Sequence, residues 1–149
     1  MDKYTVIKTL GEGTFGVVVK CVNKETNEVV AIKRMKDKIN WEAATRLREV
    51  KALKKLNNHD NIIKIREMTL KQDVLNIVFE FCDLNLYQEI SSRAAKKAQF
   101  TNDEIRNVMY QCLTAIEYVH RQGYAHRDIK PENFLVKHIP GVDANDKSK

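Results

Sequence analysis

The stretch Tyr4 to Leu10 is rich in β-forming residues in an alternating pattern and predicts a strand. A glycine-bearing run, Gly11 to Gly16, separates it from Val17 to Val22, which predicts a second strand. Polar, turn-like residues fill Asn23 to Asn27, and Glu28 to Met35 predicts a third strand. Turns this short join neighbouring strands into an antiparallel meander. The period then changes. Ala43, Leu47, Val50, Leu53 and Leu56 recur at three- and four-residue steps, which predicts one amphipathic helix over Glu42 to Leu56. The polar run Asn57 to Asn61 stops it. Ile62 to Thr69 and Val74 to Phe81 flank a turn at Lys71-Gln72-Asp73 and read as two more strands.

After Cys82-Asp83 the pattern turns helical. Leu84 to about Ala98 reads as a helix. Thr101-Asn102-Asp103-Glu104 is a capping box. It opens a long helix, Thr101 to Gln122, with Ile105, Val108, Met109, Cys112, Ile116 and Val119 on one stripe, and Gly123 is a natural stop. Mostly strand followed by mostly helix predicts an α+β chain with a lobe boundary near Cys82. Lys137 to Lys149 is polar, contains Pro140-Gly141, and is expected to be disordered. No internal repeat is present.

At 149 residues, with 43% hydrophobic and 31% charged residues, the chain has the balance of a soluble globular protein with a real core. No run approaches the length of a membrane span, and Met1 to Tyr4 lacks the apolar stretch of a secretory signal. Cys21, Cys82 and Cys112 are odd in number and far apart, which fits neither a metal site nor a disulfide framework and points to a reducing, intracellular setting. The net charge of +6 comes from dispersed basic residues with acids between them and no interleaved aromatics, so neither nucleic acid nor a membrane surface is expected as a partner.

Three places could carry chemistry. Gly11-x-Gly13-x-x-Gly16 runs on into strand rather than helix and has no Gly-Lys-Ser/Thr ending, so neither a dinucleotide fold nor a P-loop is indicated. It is either an irregular turn or a hairpin whose backbone N–H groups approach phosphate. Lys33 follows Val30-Ala31-Ile32 in a strand. It either points to solvent or meets phosphates while held by a carboxylate. Glu49 borders the apolar stripe of the first helix with no basic residue three or four positions on, so it is either a surface glutamate or a partner for a distant cation. Third is His126-Arg127-Asp128-Ile129-Lys130-Pro131-Glu132-Asn133. Asp128, with an intrinsic pKa around 3.9, is a poor base but suits positioning of a hydroxyl in phosphoryl transfer. Lys130 could neutralise a phosphate, and Asn133 offers a hard oxygen for magnesium.

In conjunction these residues resemble the eukaryotic protein kinases: Gly11-x-Gly13-x-x-Gly16-x-Val18, then Val30-Ala31-Ile32-Lys33, then Glu49 on a helix, then His126-Arg127-Asp128-x-x-x-x-Asn133. Asp128-Ile129-Lys130-Pro131-Glu132-Asn133 is similar to the serine/threonine type. Leu47 to Asn57, Ala31 to Lys36 and Asn85-Leu86-Tyr87-Gln88 resemble the MAK, ICK and MOK (RCK) branch of the CMGC group, which also holds the cyclin-dependent and MAP kinases. The resemblance covers about residues 4 to 136. It implies an N-lobe of five antiparallel strands and one helix over 1–81, a hinge over 82–85, a partial C-lobe through the catalytic loop over 86–136, and a tail or insertion over 137–149.

It also implies roles. Leu10, Gly11, Glu12, Gly13, Thr14, Phe15 and Gly16 would cover the phosphates of ATP, with Val18 and Ala31 on the adenine. Lys33 would bind the α- and β-phosphates and pair with Glu49. Phe79 is placed as gatekeeper, and Glu80 and Cys82 as hinge residues whose backbone meets adenine. Asp128 would orient the hydroxyl of a protein serine or threonine, Lys130 contact the γ-phosphate and Asn133 hold Mg2+. Arg127 would meet a phosphorylated activation segment, and His126 brace the loop from the core. A cytoplasmic place is expected, with nucleus or cilium open by resemblance.

The departure is at the end. The family follows its catalytic loop with Asp-Phe-Gly, but Asp143 and Asp146 are followed by Ala144 and Lys147. The expected outcome is a chain with little or no activity by itself, and the alternative is a non-catalytic module that holds nucleotide or a regulatory partner. The apolar stripe of the long helix is expected to lie exposed and to invite a partner.

Overall fold

The computed structural model describes residues 3–137. The predicted disordered tail beyond Lys137, with Asp143 and Asp146, lies outside them. The chain forms two compact units. One is Met1–Phe81 with Phe100–Asp128, the other Cys82–Gln99 with Ile129–Lys149.

The first unit is built on a five-stranded antiparallel sheet in the order β1-β2-β3-β5-β4. Its strands are β1 (Tyr4–Gly13), β2 (Gly16–Asn23), β3 (Val29–Lys38), β4 (Ile65–Lys71) and β5 (Val74–Glu80). Because side chains alternate across a strand, each strand serves two faces. Val19, Cys21, Val30, Ile32 and Val78 make a buried cluster on one face, with Tyr4 and Val17 at its margin. On the other, Leu75 and Ile77 pack with Ala44 and Val50. β5 is buried on both faces, which is why Val74 to Phe79 reads as a nearly continuous apolar run. Each fully buried aliphatic side chain contributes about 1.5–3 kcal/mol.

Where one helix was expected over Glu42 to Leu56 there are two, α1 (Trp41–Arg46) and α2 (Arg48–Leu56). Asn40 caps α1 through its side-chain oxygen, which accepts from the Ala43 N–H at 2.8 Å. Leu47 breaks the helix with an extended ψ of 131°. The break brings Ala44 rather than Ala43 into the core, and Leu47, Val50 and Leu53 still reach it. β4 begins at Ile65, not Ile62, because the chain before it spends its polar groups elsewhere. The Ile62 N–H bonds to His59 O, the Asn57 side-chain oxygen accepts from the Ile65 N–H at 2.7 Å, and Lys64 Nζ donates to Asn57 O and His59 O.

The long helix α4 (Asn102–Arg121) carries the expected capping box, Thr101 with Glu104. It is anchored to the end of α2 and the loop after it by polar and ring contacts. His59 stacks on Tyr118 at 4.8 Å, Asn61 Nδ2 donates to Gln111 Oε1 at 3.0 Å, and Lys55 Nζ donates to Gln122 O at 2.8 Å. Of the expected stripe, Ile105 and Met109 are 49% and 50% exposed, while Val108, Cys112, Ile116 and Val119 are half-buried. Gly123 ends the segment with φ +81°, a left-handed conformation that favours glycine.

In the second unit Leu84 and Asn85 form a short strand, β6, paired with β7 (Leu135–Val136). The helix expected from Leu84 therefore starts at Leu86, as α3 (Leu86–Ala95). Asn85 is its cap, in a capping box with Gln88. Lys97, at φ +53°, follows its end, short of Ala98. Among the described residues no helix is long and apolar enough to cross a membrane, and Cys21, Cys82 and Cys112 are free thiols.

One polar clasp ties β1 to β4. Lys3 Nζ and Tyr4 Oη donate to the two oxygens of Glu67 at 2.7 and 2.8 Å. Burial alone would raise the Glu67 carboxyl, but these hydrogen bonds and the charge of Lys3 hold it below the ordinary value of 4.5. A carboxyl depressed on folding stabilises the fold above its unfolded pKa and loses that contribution as the pH falls through its folded one. Glu67→Gln is therefore expected to cost about 1 kcal/mol near neutral pH, a value moderated by solvent at this partly exposed site. The gap between variant and parent should close as the pH falls below 4.5 and through the lowered carboxyl value, which urea unfolding across pH measures.

Candidate active site

The glycine run is a hairpin, entered through a register shift between Thr9 and Gly11. The strand expected to end at Leu10 continues to Gly13, and the ladder runs Gly11↔Val18, Glu12↔Val17 and Gly13↔Gly16, leaving Thr14 and Phe15 as the turn. Leu10 lies at its exposed margin, and Phe15 at the tip is 71% exposed. The tip is tied back to β3: the Lys36 N–H donates to Phe15 O at 3.2 Å, and Lys36 Nζ meets Glu12 Oε1 at 3.0 Å. The glycines differ in kind. A Cβ on Gly16 would stand 2.2 Å from the carbonyl oxygen of Arg34, so bare backbone is required where β2 crosses β3. A Cβ on Gly11 or Gly13 would meet nothing within 4 Å, so these two leave open space above the sheet.

Registry sets one face of that sheet. Val18 is opposite Lys33, Lys33 opposite Ile77, and Ala31 opposite Phe79, so Val18, Ala31, Lys33 and Phe79 point the same way. An apolar surface with a cation at one end suits a flat base and its phosphates. Lys33 Nζ donates to Glu49 Oε1 at 2.6 Å, which resolves both residues' alternatives: they are partners. The side chains are 24% and 41% exposed, so the pair contributes at most about 1 kcal/mol to stability. Its consequence is placement of the amine.

Glu80 closes β5 with a two-way bond to Lys64: its N–H donates to Lys64 O at 3.0 Å and its Oε1 accepts from the Lys64 N–H at 2.9 Å. Just after β5, Lys20 Nζ lies 4.1 Å from the ring centre of Phe81. Cys82 is half-buried at the start of the second unit.

In the first unit His126, Arg127 and Asp128 are exposed. Arg127 has φ +66°, an uncommon conformation for a long side chain. The Asp128 N–H donates to His126 Nδ1 at 3.3 Å. His126 thus braces the loop from an exposed position, not from the core as expected. In the second unit Lys130 precedes a single 3₁₀ turn, Pro131–Asn133, closed by the Asn133 N–H to Lys130 O at 3.0 Å. Asn133 is the predicted metal ligand. Among the described residues no cluster of three or more His, Cys, Asp or Glu stands where it could hold a metal ion.

Sequence reasoning passed over Arg48. A cavity of about 330 Å³ is lined by Arg48, Glu49, Ala52, Tyr124, Ala125 and Arg127, which sets two arginines on one cavity. The signal was present, since Arg48 adjoins Glu49 and starts the helix that carries it.

Residues 4–143 match the protein kinase domain. The chain belongs to the protein kinase family. Over 137 residues it is 50% identical to cyclin-dependent kinase F-3 of Oryza sativa subsp. japonica, covering 91% of this chain and 31% of that protein. Serine/threonine-protein kinases ICK of Rattus norvegicus and MAK of Mus musculus are each 47% identical over 136 residues, 91% of this chain and 21% of theirs. The branch resemblance read from Leu47 to Asn57 agrees with these relatives. The chain spans about a fifth to a third of the length of the curated relatives it matches.

For this kinase domain the two kinds of glycine make a sharp prediction. Gly16→Ala is expected to destabilise the sheet by about 1–3 kcal/mol, as overpacking against fixed backbone does. Gly11→Ala and Gly13→Ala should leave the melting temperature within about 2 °C of the parent. Thermal unfolding of the three variants decides it.

Proposed function

We propose that this chain supplies the nucleotide-binding sheet and catalytic loop of an ATP-dependent serine/threonine protein kinase. The Lys33–Glu49 pair at 2.6 Å carries the reading, because it joins two residues that family order alone had set apart on different elements. In it, the hairpin from Leu10 to Gly16 covers the phosphates, Val18, Ala31 and Phe79 flank the adenine, and the backbone of Glu80 and Cys82 bonds its edge. Lys33 holds the α- and β-phosphates. Asp128 orients the hydroxyl of a protein serine or threonine and accepts its proton. The hydroxyl oxygen bonds to the γ-phosphorus as the bond to the β-phosphate oxygen breaks, and Lys130 balances charge on the transferring group. Such a reaction asks the protein for position and charge more than for a strong base. Arg127, with Arg48 beside it, would receive the phosphate of an activation segment.

Asn133 offers one amide oxygen to the magnesium ion that accompanies ATP, and no Asp-Phe-Gly follows it in these 149 residues. That observation supports a second reading for the chain by itself: it holds nucleotide without transferring phosphate. The setting implied is intracellular.

Calorimetric titration with ATP is expected to show binding by the 149-residue chain that changes little with magnesium. Lys33→Met should weaken it about tenfold, or about 1.4 kcal/mol. Measurable kinase activity of this chain would exclude the second reading. In a chain extended through Asp-Phe-Gly and the rest of the domain, Asp128→Asn is expected to lower turnover on the order of 10³-fold or more. Normal turnover there would sink the assigned role of Asp128.

A further inference from the structure

The face of the sheet turned away from Lys33 carries an unmet charge. Val17 is opposite Arg34, Arg34 opposite Asn76, and Asn76 opposite Thr69. One row across β2, β3, β5 and β4 therefore brings an arginine, an amide and a hydroxyl to the same face. Alternation along β3 puts Arg34 on the side of Ile32 and Val30, in the buried cluster opposite Lys33. Arg34 and Thr69 are half-buried, and Asn76 is 2% exposed.

Two atoms in that row are buried without a hydrogen-bond partner among the described residues, Arg34 Nε and Thr69 Oγ1. Asn76 stands between them and spends its Nδ2 on Val74 O at 2.9 Å. The neighbouring carboxylates are engaged as well. Glu12, opposite Val17, pairs with Lys36, and Glu67, two residues before Thr69, is held by Lys3 and Tyr4. The charge of Arg34 is felt inside the cluster: burial pushes the Cys21 thiol up, and Arg34 acts against that rise. A buried guanidinium N–H without an acceptor costs more than a neutral donor would, so the pair of orphans calls for an acceptor from outside the chain.

Two strand spacings, about 10 Å, separate Arg34 from Thr69. The arginine stem covers part of that gap, and one oxyanion between guanidinium and hydroxyl covers the rest. Lys36 and Lys71 follow Arg34 and Thr69 by two residues on their strands and add positive charge at the same end of the sheet.

We propose that Arg34 and Thr69 form a binding site for a phosphate group on the sheet face opposite Lys33. The guanidinium donates from Nε and one Nη to two phosphate oxygens, and the Thr69 hydroxyl donates to a third. A third acceptor oxygen and a second negative charge favour phosphate over carboxylate here. The site is separate from the catalytic residues and does not rest on the proposed kinase reaction.

Nuclear magnetic resonance of the 149-residue chain tests it, by following the Arg34 Nε–H and the Thr69 backbone amide. The probes are inorganic phosphate and a blocked Ala-Ala-phosphoserine-Ala-Ala peptide, at ionic strength held constant with chloride. Both are expected to shift the two signals saturably, with a Kd of roughly 0.1–5 mM. A peptide that binds tighter than inorganic phosphate assigns the site to a phosphorylated protein; one that binds no tighter assigns it to the free anion. Arg34→Gln is expected to raise the Kd about tenfold, and Thr69→Val about threefold. Signals of Lys33, Arg48 and Arg127 report phosphate held elsewhere. Four results overturn the proposal: no saturable shift at Arg34 and Thr69 up to about 20 mM, shifts confined to Lys33, Arg48 and Arg127, an equal shift from the peptide without its phosphate, or an unchanged Kd at Thr69 in Arg34→Gln. The first three use the unaltered chain, so the outcome stands even if a variant folds poorly.

Discussion

The packing of α2 on β5 is the contact from which the chemistry of the first unit follows. Val50 is buried among Leu75 and Ile77, with Leu53 alongside. Lys33 is directly opposite Ile77 across the β3–β5 ladder, and Glu49 is the residue before Val50. The apolar contact that hides Ile77 therefore also brings carboxylate and amine to 2.6 Å. The ion pair does not hold the helix in place, because two partly exposed charges are worth too little for that. The helix is held by aliphatic burial, worth several times more in sum, and the pair is positioned as a result. A change in how α2 seats would reach Lys33 through geometry before it reached stability.

This division explains which parts of the molecule could be read from the sequence. The five strands and the capping box of α4 were legible because each rests on local signals: alternation, turn residues, and the Thr101–Glu104 spacing. Asn85 and Gln88 had been assigned inside a helix, however, since nothing local says that Leu84 and Asn85 will find Val136 and Leu135. A two-residue ladder fifty residues apart in the chain leaves no periodic trace. The break at Leu47 was hidden for the opposite reason. Leucine is a good helix former, no glycine or proline marks the site, and the apolar spacing runs on because both helices face one core. Only the shift from Ala43 to Ala44 records the extra extended residue.

Among the candidate site residues, legibility followed the same line. Glu49 was found because a carboxylate on the edge of an apolar stripe with no local partner needs a distant cation. Lys33 alone gave no such sign, since a strand lysine facing solvent looks identical in sequence. Arg48 carried no anomaly at all: an arginine at the start of a helix beside an acid is ordinary. Its place with Arg127 at one cavity comes from the turn of the chain after α4, where Gly123 and the left-handed Arg127 redirect the backbone. Such conformations are set by tertiary context, and a residue of either sign of φ is spelled the same way.

The hairpin shows how one motif holds two unlike requirements. Gly16 is dictated from below, by the Arg34 carbonyl that any side chain would strike. Gly11 and Gly13 answer to nothing in the protein, since a Cβ at either would stand in open space. Residues kept bare without an internal reason imply an external one, and the close approach of a ligand to backbone N–H groups is that reason in the proposed reading. The tether from Lys36 to Glu12 and Phe15 adds the last constraint. It joins the hairpin tip to the strand that carries Lys33, so that backbone donors and amine are referred to the same framework, β3. For phosphoryl transfer, where placement supplies most of what the protein contributes, a common framework for the groups that meet phosphate is worth more than any one of their contacts.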